Sequence, residues 1–170
     1  MSGHKDTAAA RPRAETDARR DLLLLRAGAR RFAVFADEAD GVAQGSKHAP
    51  LPHAPRAVLG VASVRGRMYT VLDPNALVGA HEETEASDAN EDATPHLLVV
   101  LRGDEQLALA ADADEGLIEI NADSIAPPDA PDAPLRGTLE HDGARVLVLD
   151  PSRLFEAALH GVERRRQRQK

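Results

Sequence analysis

The chain has 170 residues, 42% of them apolar and 29% charged, which excludes global disorder and fits one or two small cores. It has no cysteine, which excludes disulfides, iron–sulfur clusters and cysteine-ligated zinc. The net charge is −7, and setting aside the five bases of residues 164–170 leaves −7 − 5 = −12 on residues 1–163, a body that repels phosphate backbones, so no nucleic-acid partner is expected.

Residues 1–20 show no apolar periodicity and read as a disordered arm. The first apolar run, 22–25, is too short for a signal-peptide core, and nothing approaches the ~18 apolar residues of a membrane span. A cytoplasmic protein without direct membrane insertion is expected. Strands are expected at 22–26, 31–37, 58–64 and 67–72, with glycine-containing turns between apolar runs. Prolines break the segment 48–55, so His48 and His53 cannot take the helical i, i+4 spacing of a metalloenzyme and the segment reads as a rigid connecting loop. Ser63, in Gly60–Val–Ala–Ser–Val–Arg–Gly66, lacks the spacing of a nucleophile elbow, and no Gly-Lys-Ser/Thr phosphate loop is present. No catalytic residue, metal or cofactor is expected.

Asp73-Pro74 and Asp150-Pro151 each look like a helix start, the Asp as N-cap and the Pro at the first helical position. Residues 80–95 hold six acids and no Lys or Arg, which reads as a solvated linker. After Pro151, Leu154, Phe155, Ala158, Leu159 and Val162 follow helical spacing, and residues 163–170 form a basic tail.

The chain repeats itself. Residues 22–42 lie over 97–117 at an offset of 75, bringing Gly28 to Gly103 and Gly41 to Gly116, and residues 66–77 lie over 143–154 at an offset of 77. Each half is a short-strand unit of the kind that builds small barrels or sandwiches, and units of this size bury too little surface alone, so the two should pack together with a groove between them. Arg65-Gly66-Arg67 occupies the turn between two apolar runs. The turn needs Gly66, whereas the second half has Asp142 where the first has Arg65, so the fold does not need that positive charge and Arg65 is a candidate for partner recognition.

The segment Val58–Leu–Gly–Val–Ala–Ser–Val–Arg–Gly–Arg–Met–Tyr–Thr–Val–Leu–Asp73 resembles the signature of the CheW family, adaptors of bacterial chemosensory arrays. Residues 22–37, 116–128 and 144–159 are similar to further parts of that family, in the same order. The resemblance implies an all-β fold of two small, five-stranded, SH3-like β-barrel lobes with short helices and a C-terminal helix. It implies a domain over 21–162, with lobes at about 21–79 and 96–162. It also implies a monomeric, non-catalytic adaptor that couples chemoreceptor tips to the regulatory domain of a CheA-type histidine kinase, recruited to membrane-associated receptor arrays. Val64, Arg65, Gly66 and Arg67 of the signature, with Asp40 and Val42 of the third strand, are the expected protein-binding residues. Ala39–Asp40–Gly41–Val42 departs from the family's Val-x-Glu-Ile, and Ser63 from its Asn. These departures leave open a CheW-like interaction domain with partners outside the array, such as a motility, polarity or localisation factor.

Overall fold

The computed structural model describes residues 19–45, 47–79 and 94–167, with side chains to residue 160. Their strands are β1 (Arg19–Ala27), β2 (Arg30–Phe35), β3 (Ala39–Gln44), β4 (Val58–Val64), β5 (Arg67–Leu72), β6 (Leu97–Leu101), β7 (Leu107–Ala111), β8 (Ala113–Asn121), β9 (Leu135–His141) and β10 (Ala144–Leu149). Two α-helices, α1 (Pro74–Leu77) and α2 (Pro151–Gln167), follow β5 and β10. The fold is the expected all-β one, with two five-stranded sheets.

One sheet has the order β8-β1-β2-β10-β9, and the other β3-β6-β7-β5-β4. Replacing β1 to β5 by β6 to β10, and the reverse, turns one order into the other. The duplication therefore extends from sequence to topology. Register follows it too, for Val71 faces Ala108 across the parallel pair β5–β7, and Val148 faces Ala33 across β10–β2.

The lobes are not the contiguous segments expected at about 21–79 and 96–162. Lobe B, the second sheet, runs continuously from β3 to β7, whereas lobe A combines the β1–β2 hairpin with β8, β9 and β10. One lobe is thus inserted into the other. Each hairpin, β1–β2 or β6–β7, gains partners on both sides from the opposite half, and so avoids the marginal stability of an isolated two-stranded ribbon.

Packing explains why the halves open on unbroken apolar runs. On β1, Leu22 and Leu24 point into lobe A beside Phe35, Val146 and Val148, while Leu23 and Leu25 enter a core shared with lobe B. On β6, Leu98 and Val100 fill lobe B, and Val99 and Leu101 face the shared core. Strand side chains alternate between faces, and a strand covered on both faces needs apolar residues at every position. The shared core also takes Leu77 of α1 and Leu154 and Ala158 of α2.

Three details correct the sequence reading. Leu23 pairs with Val34 and Val99 with Leu109, so β1 and β6 are offset by 99 − 23 = 76 although β2 and β7 are offset by 109 − 34 = 75. The first hairpin thus holds one residue more between these matched pairs, and four successive leucines carry no phase that reveals the slip. β3, expected from the family resemblance but not from its own apolar pattern, which Asp40 and Gly41 interrupt, pairs with β6 through a bulge between Ala39 and Gly41. Arg19 and Arg20, expected in the arm, pair with Asn121 and Ile120, and α2 enters the expected tail. Residues 1–18 of the arm, 80–93 of the linker and 168–170 lie outside the described residues.

Both lobes curl closed by the same device. The Ala49 N–H donates to the Val61 carbonyl at 2.8 Å and the Val61 N–H to the Ala49 carbonyl at 2.9 Å, and Ala126 and Thr138 repeat the exchange in lobe A. A Cβ on Gly60 or Gly137 would fall inside 3.0 Å of the Ala49 or Ala126 carbonyl oxygen, so both glycines are needed for this approach. The expected N-caps form: Asp73 accepts from the Asn75 N–H at 3.0 Å, and Asp150 from the Ser152 N–H at 3.1 Å.

The crossing from lobe A to lobe B is the short 3-10 turn Ala36–Glu38. Arg20 holds Asp37 through both carboxylate oxygens, at 2.8 and 2.9 Å, and stacks on the Phe35 ring. Arg136 of β9 pairs with Glu38. Burial pushes the Glu38 carboxyl above its ordinary value, against the opposing pull of Arg136.

Candidate protein-interaction site

Arg65 and Gly66 form the two-residue turn between β4 and β5, with φ of +50° and +79°. Asp142 and Gly143 form the matching turn between β9 and β10, with φ of +51° and +72°. Two successive positive φ values make the hairpin turn that follows strand twist, and it favours Asn, Asp or Gly at its first position. Asp142 satisfies that preference. Arg65 does not, and holding it in the left-handed region costs about 1 kcal/mol.

The guanidinium of Arg65 reaches across the mouth of lobe B to β3, at the opposite edge of the sheet. Its Nη1 and Nη2 each lie 3.6 Å from where a Cβ on Gly41 would sit. Asp40, next along β3, is exposed and has an Oδ1 3.7 Å from Nε of Arg102. Asp40 and Arg67 line a depression of about 350 Å³ together with Tyr69, Arg102, Asp104 and Gln106.

The six sequence-derived residues therefore separate into two groups. Arg65, Gly66, Arg67 and Asp40 are exposed around the mouth of lobe B. Val64 is 7% exposed and fills the lobe interior, and Val42 is half-buried against the shared core. These two position the site by packing. Arg102 and Gln106 are additions from the β6–β7 hairpin, which the sequence assigns to the other half of the chain. Among the described residues, no three His, Asp or Glu side chains converge to hold a metal ion, and no helix is long and apolar enough to cross a membrane.

A pseudo-symmetric pair of lobes presenting twin turns of opposite charge defines a protein-binding scaffold. Residues 21–159 match the CheW-like domain family, and the chain belongs to it. The family's members are non-catalytic scaffold proteins. Among solved structures, the fold is similar to that of the scaffolding protein TtCheW from Thermoanaerobacter tengcongensis, with a TM-score of 0.60 and 16% identity over 76% of this chain and 88% of that one. No curated protein matches the chain.

Proposed function

We propose that this protein is an adaptor joining the cytoplasmic tip of a chemoreceptor to the regulatory domain of a CheA-type histidine kinase, and that it works at membrane-associated receptor arrays. The observation that carries this reading is Arg65 itself. A residue kept in an unfavourable backbone conformation, exposed, at a turn whose twin uses the conformationally suited Asp142, is better explained by a contact it makes than by the fold. Arg67 and Asp40 lie at the same lobe mouth and extend the contact surface. A guanidinium there offers several donors to receptor carboxylates or backbone carbonyls. The kinase domain binds elsewhere on the two lobes, so both partners are held at once. Titration calorimetry of the wild type and Arg65→Glu, against a receptor-tip fragment and a kinase regulatory domain separately, tests the reading. Loss of receptor binding alone supports it, and equal receptor affinity for both proteins overturns it.

Gly41 favours a second reading, because the family's usual carboxylate is missing where the Arg65 guanidinium lies. On that reading the same surface serves a motility, polarity or localisation partner. Failure of both chemosensory fragments to bind the wild type, with retention of another protein lost in Arg65→Glu, would favour it.

A further inference from the structure

The mouth of lobe B carries two exposed cations that the described residues leave unanswered. Neither the Arg65 nor the Arg67 guanidinium has a hydrogen-bond or ion-pair partner among them. Acids stand close by without pairing to either one. Asp40 lies 3.7 Å from Arg102 instead, and Asp104 and Glu105 belong to the turn between β6 and β7. Arg65 sets both terminal nitrogens beside Gly41, each 3.6 Å from where a Cβ would sit. This overlap is not a by-product of the duplication, because nothing lies within 4 Å of the corresponding point on the twin glycine, Gly116.

The chain is poorly placed to supply an acceptor from Gly41 itself. With φ of +143°, Gly41 has a conformation that L side chains rarely adopt, so an acid grown from that position would strain β3. The acceptor has to come from another molecule. Two terminal nitrogens side by side match the two oxygens of a carboxylate, and the resulting charge-assisted pair is stronger than a hydrogen bond to a neutral carbonyl.

We infer that the space over Gly41 seats a carboxylate carried by the partner: an exposed Asp or Glu of the receptor tip enters beside Gly41 and accepts from both terminal nitrogens of Arg65. Arg67, on the adjoining depression, adds a second positive charge that draws an acidic segment to the mouth. The inference rests on the receptor reading and deepens it by naming the group recognised. Gly41 then determines specificity. Its missing side chain leaves room for the acid, and a partner without one covers the guanidinium and leaves it unpaired.

A receptor-tip fragment is titrated into the full chain by calorimetry, with each Asp and Glu of the fragment changed in turn to its amide and every change crossed with Arg65→Gln. One amide change is expected to weaken binding to the wild type at least about tenfold and to have no further effect in Arg65→Gln. Gly41→Asp and Gly41→Asn share the same backbone strain and differ in charge, so the Asp variant, which answers Arg65 from within the chain, should bind the fragment roughly tenfold more weakly than the Asn variant. Melting curves check that each variant is folded, and the amide series leaves this chain unaltered. A second arm needs no receptor: sodium glutarate is titrated against sodium chloride at equal ionic strength while the Arg65 Nε–H and Gly41 amide signals are followed by NMR. If the fragment binds and no acid of it couples to Arg65, the proposal is overturned and the receptor reading stands. If the fragment does not bind, the receptor reading fails and glutarate decides. Saturable shifts lost in Arg65→Gln then support a carboxylate seat for a different acidic partner, whereas no shift, or the same shift with chloride, overturns it.

Discussion

The Arg65 guanidinium lies over Gly41, a residue at the opposite edge of the same sheet, with both terminal nitrogens 3.6 Å from where that glycine's side chain would begin. A turn residue and a strand residue from the two ends of the sheet order are thereby brought into one patch, and the curl of lobe B makes the contact possible. The shape of this patch depends on a closed lobe as much as on any side chain in it.

Because position 65 is left-handed, stability and binding should respond in opposite directions there. Arg65→Asn is expected to raise the unfolding free energy by roughly 0.5–1 kcal/mol, since Asn tolerates this conformation, while weakening receptor binding. Arg65→Glu should cost on the order of 2–5 kcal/mol of binding without unfolding the protein. Denaturant melts beside calorimetry check both. An Asn variant that is less stable than wild type would mean the Arg65 side chain supports the fold.

Gly60→Ala and Gly137→Ala should each destabilise the protein by at least about 2 kcal/mol, because the added methyl meets a carbonyl oxygen already engaged in lobe closure. Equal losses at the two positions are expected from the duplication. Urea unfolding of both variants measures this, and a loss confined to one would mean that one lobe has room to shift.

The Glu38 carboxyl is raised above its ordinary value of 4.5, chiefly by burial, with Arg136 pulling the other way. A carboxyl with a higher pKa folded than unfolded favours folding in its protonated form, so that contribution is complete below the unfolded value and lost as pH rises through the folded one. Glu38→Gln stays neutral throughout, and Arg136 retains Asp150 at 3.7 Å. The variant should therefore melt at or above the wild type near about pH 7, with the difference vanishing near about pH 4. A marked loss at neutral pH would show that the Arg136 pair outweighs the burial of the charge.

Cutting the chain between its halves should abolish folding. Residues 1–79 and 94–170, expressed apart, each hold strands of both sheets without the neighbours that complete either one. Each fragment alone should give a collapsed amide spectrum by NMR, and mixing should restore dispersion. A dispersed spectrum from one fragment alone would contradict the interleaved pairing.

The runs at 22–25 and 97–101, the Gly66 and Gly143 correspondence and both Asp-Pro caps were legible because each follows from a local requirement of backbone or burial. The exchange of hairpins was not. Homologous halves offer nearly interchangeable partners, so β1–β2 matches either set of remaining strands by pattern, and only three-dimensional closure selects one. The same obstacle hid Arg102 and Gln106, which join Arg67 through a hairpin from the other half. β3 was legible only through the family resemblance, because its bulge breaks period-two alternation at Asp40 and Gly41. One readable signal went unused: Asp142-Gly143 is a strong type I′ pair, and its alignment with Arg65-Gly66 already implies a left-handed arginine.

Lobe B is a single uninterrupted stretch, entered after Glu38 and left at Ala111, while both the first strand and the last helix belong to or follow lobe A. Exchange of genetic material can therefore replace the Arg65-bearing unit as a cassette with two junctions, leaving the flanking sequence intact. If the Arg65 surface is the receptor contact proposed above, a chimera carrying residues 39–111 of a relative should inherit that relative's receptor preference while keeping its own α2. The shared core sets the limit on such grafts, because Leu72, Leu77, Val99, Leu101, Leu107 and Leu109 travel with the cassette and must fit leucines that stay behind.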